Sequence, residues 1–505
     1  MKYKNPIIPG FYPDPSICRA GEDYYLVTSS FCYFPGVPIF HSTDLVNWKQ
    51  IGHCLTTASQ LPLGKTWRSA GIYAPTIRYH DGLFYMVTTN VSSGGNFYVY
   101  TDNPSGKWSE PLWVDQGGID PSLLFDEDGR VYFTSTTQYG TPTPGICLSE
   151  IDIKTGKRLT EVKYIWGGNG GRHPEAPHLY KISNYYYLMI AEGGTEYGHM
   201  VTHARSRSPW GPFESCPGNP ILTHRNSGFS TIQGTGHADI VEDGNGNWWM
   251  VFLAFRTANG DYHHLGRETF LAPLEWNKEG WPIVNGNGTV QLTVETDKIT
   301  SEQIQMEVFE DNFDDATLDY RWNYVRNPNE SLYSLTEKKG CLRLYGSEVS
   351  LNDVDSPAFV GKRQQHFNCS VETLLDFKPE KKDEEAGLTV IMDEKHHYEI
   401  AVTGDGPGRK VIVRRTIGKL SVIVAEEAIN AGSITLEISA ETGSYHFKYA
   451  VNGNIPKEIA DGETKYLSSE VAGGFTGVYF GLYATGNGRK NSIPADFHYF
   501  KYTEV

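Results

Sequence analysis

Residues 184–192 read NYYYLMIAE. An Asn opens the stretch, and aromatic and aliphatic side chains fill it. The aromatic and β-branched content favours a short strand over a helix, and a turn residue in front suits a hairpin. Four further stretches follow the same pattern: DYYLVTSSF (23–31), GLFYMVTTN (82–90), GRVYFTSTT (129–137) and NWWMVFLAF (247–255). Each is preceded, eight to ten residues earlier, by a second short element. These begin Asp14-Pro15-Ser16-Ile17, Ala74-Pro75-Thr76-Ile77, Asp120-Pro121-Ser122-Leu123, Ala176-Pro177-His178-Leu179 and His237-Ala238-Asp239-Ile240. The intervals between them are 60, 46, 56 and 61 residues. Each interval is long enough for one four-stranded unit with variable loops. The pattern therefore predicts a five-bladed β-propeller. A single sandwich of about twenty strands leaves the fivefold pairing unexplained.

The innermost strand of a propeller blade lines the central channel. If the short elements are those strands, Asp14, Ala74, Asp120, Ala176 and His237 face one another, with Glu175 one residue before the fourth. Three carboxylates and a histidine then converge. Each has an ordinary alternative: Asp-Pro pairs are common turn material, a lone Glu is usually on the surface, and a buried His is often just hydrogen-bonded. The shared repeat position favours a joint role, because a purely structural axis would be filled with apolar side chains.

The pattern ends near Asn285-Gly286-Asn287-Gly288. Beyond residue 309, alternating strands such as GLTVIMD, HYEIAVTG and GVYFGLYAT, separated by Gly, Asn and Asp turns, predict a jelly-roll-like β-sandwich. The expected organisation is a propeller over 1–295, a linker over 296–308 and a sandwich over 309–505.

The formal net charge of −16 argues against nucleic acid as a partner. No apolar run approaches the ~18 residues of a membrane span. The first residues, MKYKNPIIPG, do not lead into a signal peptide, and the seven Cys form no CxxC pair. A cytoplasmic protein with reduced thiols is expected, and a homo-oligomer is compatible with this sequence.

Carboxylates in a polar, aromatic-rich pocket suit the cleavage of a glycosidic bond. One protonated carboxyl gives its proton to the leaving oxygen, and one carboxylate activates water on the other face. The third carboxylate can raise the acid's pKa by like charge. A non-catalytic sugar-binding propeller is the alternative of another class, although a lectin needs no such acid.

The chain contains the motifs NPIIPGFYPDPSI, FPGVPIFHSTDLVNW, GGIDPSLLFDEDGRVYF, RHPEAPHLYK, EGGTEYGHM, GTGHADIVEDGNGNWWMVF and LGRETFLAPLEW. In these it resembles glycoside hydrolase family 43, the β-xylosidases and α-L-arabinofuranosidases. The resemblance implies that Asp14 is the general base, that Glu175 is the general acid, and that Asp120 tunes and orients the acid. It implies inversion, with the carboxyl groups ~6.5–9.5 Å apart. Arg267, Phe31, Tyr73, Ala74 and Thr195 would line the terminal sugar site, with His237 beside it. Close β-xylosidases carry Trp at the place of Tyr73, which bears on sugar preference. His237 also resembles a histidine beside a channel calcium, held through water. That calcium would be structural, and the chemistry requires no cofactor. Phe475, in GGFTGVYFG, would reach over and close the pocket. The implied reaction is release of xylose from the non-reducing end of β-1,4-xylo-oligosaccharides. The alternative is α-L-arabinofuranosidase or dual activity on arabinose-substituted oligosaccharides.

Overall fold

In the computed structural model, residues 2–137, 140–258, 260–299, 301–304, 308–490 and 493–505 are described. Among them the regular structure is almost entirely β-strand. Five successive antiparallel sheets come first. They open with strands Ser16–Ala20, Thr76–His80, Ser122–Phe125, Glu175–Ile182 and Ile232–Glu242. The second strands are Asp23–Val27, Leu83–Asn90, Val131–Thr136, Tyr185–Glu192 and Trp248–Arg256, each paired antiparallel with its opening strand. Four sheets have four strands, and the fourth sheet gains an additional short one.

The aromatic and aliphatic run of each second strand has a packing reason. Adjacent strand residues point to opposite faces of a sheet, and here both faces are covered by a neighbouring sheet. Val27 packs toward the second sheet, with Met86, while Leu26 packs toward the fifth, with Phe252. Val87 meets Phe133 of the third sheet, Tyr132 meets Leu188 of the fourth, and Met189 meets Phe252 of the fifth. The apolar layers thus follow one another in a closed cycle from the first sheet through the fifth and back.

Polar bonds close the same cycle near the axis. Ile77 N donates to Ser16 Oγ at 3.0 Å, and Thr76 Oγ1 to the Pro121 carbonyl at 2.9 Å. Ala176 N donates to Asp120 Oδ2 at 3.1 Å, Tyr180 OH to Asp239 Oδ1 at 2.5 Å, and Ser16 Oγ to Asp239 Oδ2 at 2.5 Å. Arg78 fills the space between them, with Nη1 2.7 Å from Asp239 Oδ2 and Nη2 2.8 Å from His178 Nδ1. Strand Lys2–Lys4 pairs with Thr293–Glu295, so the start of the chain returns to the end of this region.

Two larger sheets follow, of eight and six strands among the described residues. Val371, Leu436 and Phe500 of one face Leu388, Ile400 and Phe480 of the other across one buried core, which is a β-sandwich. Residues 300 and 305–307 of the expected linker lie outside the described residues. The sandwich is joined to the first region by a mixed core. Phe11, Phe31 and Tyr33 pack with Phe359, Tyr479 and Tyr483, and Tyr33–Phe34 pairs with Tyr324–Val325. Arg363 donates from Nε to the Phe11 carbonyl at 2.7 Å. Among the described residues no helix is long and apolar enough to cross a membrane.

Candidate active site

Four of the five repeat positions share an unusual backbone. Asp14, Asp120, Ala176 and His237 have φ of 56°, 54°, 54° and 46°, in the left-handed region that non-glycine residues seldom occupy. Ala176 and His237 also fall where the pairing register shifts, at 175–178 and at 236–238. Such bulges re-aim side chains. In the fourth sheet, the carboxyl comes from Glu175, one residue before the repeat position.

Asp14 is 4% exposed. Its Oδ1 accepts from Arg267 Nη1 at 2.7 Å, and its Oδ2 accepts from Ser29 Oγ. His237 Nδ1 lies 3.7 Å from Asp14 Oδ1. Burial opposes the charge on Asp14, but Arg267, His237 and the Ser29 bond outweigh it and hold the carboxyl below the usual aspartate range. Glu175 is half-buried. Burial, and then the negative charge of Asp14, push its pKa up to about 7, against a smaller opposite effect of Arg267. Asp120 sits against the same strand through Ala176 N. Burial and the charges of Glu175 and Asp14 push it well above its ordinary value. Asp120 and Glu175 therefore titrate as a pair that keeps a proton near neutrality, beside an ionised Asp14.

The other expected residues are brought to this place. Arg267 Nη1 donates to Thr195 Oγ1 at 3.0 Å, and Nη2 to the Phe475 carbonyl at 3.3 Å. Its Nε is buried without a hydrogen-bond partner among the described residues. The guanidinium carbon lies 5.6 Å from the ring centre of Phe31 and 5.8 Å from that of Phe475. Phe31 stacks with Phe475 at 6.2 Å and tilts against Tyr73 at 5.4 Å. The Tyr73 hydroxyl is raised by burial and then by Asp120, with Asp14 and Glu175 also acting on it. Ala74 is buried next to it. Phe475 is 37% exposed, so the sandwich contributes a partly open aromatic wall.

Several participants were not expected from the sequence. Ser29 reaches Asp14 because the second strand stops at Val27 instead of running on to Phe31. Ser69 Oγ accepts from Phe475 N at 2.9 Å. His199 is buried; burial pushes it down to about 3, and the charges of His237 and Asp14 both act on it. Serines and a histidine on connecting segments carry no periodic signal, so only the folded chain identifies them. Among the described residues no three His, Cys, Asp or Glu side chains converge as a metal-binding group. A calcium beside His237 would therefore find no ready cluster of such side chains to hold it directly.

The model of glycosyl hydrolases family 43 matches residues 3–282, and that of the β-xylosidase C-terminal concanavalin A-like domain matches residues 310–503. The chain belongs to glycosyl hydrolases family 43. It is a glycoside hydrolase of β-propeller and β-sandwich type. A non-reducing end α-L-arabinofuranosidase of Bacteroides ovatus is 44% identical over 99% of this chain and 94% of its own. A xylosidase/arabinosidase of Butyrivibrio fibrisolvens is 41% identical, covering 99% of each. The crystal structure of a xylan β-1,4-xylosidase from Bacillus halodurans superposes with a TM-score of 0.94 at 35% identity, over 99% of this chain and all of its own.

Proposed function

We propose that this family 43 enzyme is an exo-acting, inverting β-1,4-xylosidase that releases xylose from the non-reducing end of short xylo-oligosaccharides. The observation that carries this reading is the divergence of the carboxyl groups in one pocket. Asp14 is held ionised by Arg267 and Ser29, while Glu175 is raised to about 7 beside Asp120. Asp14 then takes a proton from the attacking water. Glu175 protonates the leaving oxygen, and the bond between the anomeric carbon and that oxygen breaks as the water oxygen bonds to the carbon. Asp120 keeps the proton on the pair and, through Ala176 N, holds the strand that carries Glu175. Arg267, held by Asp14 and Thr195, places its charged guanidinium beside the terminal sugar, and Phe31, Tyr73 and Phe475 pack on the apolar face of the ring. With Ala74, Thr195 and His237, they form a short pocket that accepts one terminal sugar.

The second reading is α-L-arabinofuranosidase, alone or with xylosidase activity. It is favoured by Tyr73 and by the name of the Bacteroides ovatus relative. We read the five sheets as the blades of a five-bladed propeller over 1–295, joined through 296–308 to the sandwich over 309–505. The free thiols of the described cysteines agree with a reducing, cytoplasmic setting. A water-held structural calcium beside His237 and a homo-oligomeric state belong to the same proposal.

Paired assays test it. p-Nitrophenyl β-xyloside is expected to be turned over faster than p-nitrophenyl α-arabinofuranoside, and the reverse order would replace the xylosidase reading by the second. Asp14→Ala should lower kcat by at least about a hundredfold on the preferred substrate. Near wild-type turnover would remove Asp14 from the base role.

A further inference from the structure

One buried acidic side chain outside the pocket is held by two main-chain amides of the loop that delivers Glu175 and by one threonine of a neighbouring strand. Glu192 ends the strand Tyr185–Glu192, next to Ala191, the register partner of Glu175. It is 0% exposed. Its Oε1 accepts from Gly171 N at 2.7 Å, and its Oε2 from Asn169 N at 2.9 Å and from Thr202 Oγ1 at 2.5 Å. The loop wraps closely around this carboxylate. A Cβ on Gly168, whose φ is +81°, would stand 2.6 Å from Glu192 Oε1, and one on Gly171 would stand 2.9 Å from the Glu192 Cβ. The next residue continues the attachment. Gly193 N donates to the Arg172 carbonyl at 2.7 Å, and Arg172 Nε donates to the Gly193 carbonyl at 3.0 Å. Glu175 follows three residues later.

On its other side, Glu192 leads through Gly193 and Gly194 to Thr195. Thr195 accepts from Arg267, which in turn holds Asp14. One buried carboxylate thus joins the segment carrying the acid to the segment that touches the partner of the base. An apolar side chain would fill this core position without needing donors, whereas a buried carboxylate is tolerated only when hydrogen-bonded. Two main-chain amides reach its oxygens only when the 169–172 loop takes this path. The glycines permit that close approach, and the carboxylate selects it.

We propose that Glu192 is a positioning residue for hydrolysis: it fixes the 168–172 loop so that Glu175 meets the leaving oxygen, without itself touching the sugar. The proposal rests on reading Glu175 as the general acid.

Glu192→Gln keeps the volume but turns one acceptor oxygen into an NH2 group facing N–H or O–H donors. Misplacing the acid should lower kcat on xylobiose by on the order of tenfold to a hundredfold, with little change in KM. A 2,4-dinitrophenyl β-xyloside, whose leaving group needs little protonation, should lose much less. Thr202→Val removes one donor and leaves the carboxylate in place, so it should move the same ratio less far in the same direction. A folded Glu192→Gln that loses both activities equally, or that keeps wild-type turnover of xylobiose, overturns the proposal. If that variant does not fold, an unchanged substrate ratio in Thr202→Val overturns it. Glu175→Ala, run alongside, separates the two readings. Equal losses in Glu175→Ala reject the acid assignment itself. A contrast there that is missing from both the Glu192 and the Thr202 variants rejects only the positioning role. If the arabinofuranoside proves to be the preferred substrate, the corresponding oligosaccharide and activated aryl pair is used.

Discussion

Asp14 and Glu175 are both carboxyl groups removed from water, yet their surroundings drive them apart. Arg267 and Ser29 serve Asp14 directly, whereas Glu175 meets burial and the negative field of Asp14. In the proposed mechanism the active form has Asp14 ionised and Glu175 protonated. The kcat/KM profile should therefore be bell-shaped. Activity falls as pH rises through about 7, where Glu175 loses its proton, and falls again at low pH, below the usual aspartate range, where Asp14 gains one. In Glu175→Ala, assayed on an activated aryl glycoside, the high-pH limb should vanish; a limb that persists near 7 would assign that proton elsewhere. Asp14 and Asp120 were legible as candidates because they recur at one position of a repeat, and Glu175 because it stands one residue before that position in the fourth copy. The sequence could not reveal Ser29, Ser69 or His199, which reach the site from connecting segments through bonds that depend on where strands stop.

At the scale of the element, the opening strands explain both the success and the limits of sequence reading. Their spacing and their partners were legible because both faces of each second strand are buried between sheets, which leaves an uninterrupted run such as YYYLMIA. The left-handed backbone at Ala176 and His237 was not legible. Ala disfavours it and His adopts it only occasionally, and such a conformation costs about 1–3 kcal/mol when the surroundings enforce it. The polar filling around Arg78 was also hidden, because its members, Ser16, His178, Tyr180 and Asp239, lie on three different strands. Asp239 is fully buried and Arg78 nearly so. Arg78→Met leaves the Asp239 carboxylate without its cation, and urea unfolding should show a loss of about 3–5 kcal/mol. A loss under about 1 kcal/mol would mean that the other donors suffice.

At the scale of the whole molecule, the sandwich is a structural part of the catalytic region. Phe475 N bonds to Ser69, its carbonyl accepts from Arg267, and its ring stacks on Phe31. Behind them, Arg68 and Arg326 converge on Glu394 at 3.2 and 2.7 Å, all three buried. The sequence indicated two β regions and a break between them. It could not reveal a core shared by both, because Phe11, Tyr33, Phe359 and Tyr479 are far apart along the chain. A chain ending at residue 308 would expose that aromatic cluster and lose Phe475 from the pocket. It is expected to aggregate and to lack activity, as light scattering and the aryl glycoside assay would show. A monomeric, fully active fragment would contradict the shared core.

In the proposed mechanism Asp14 and Glu175 act from opposite sides of the sugar, with water entering on the Asp14 side. Proton NMR of the first product formed from an aryl β-xyloside tests it most directly. α-Xylose is expected first, with the β anomer growing in only as the sugar mutarotates. β-Xylose as the first product would contradict that mechanism, because retention requires a carboxylate to attack the sugar itself.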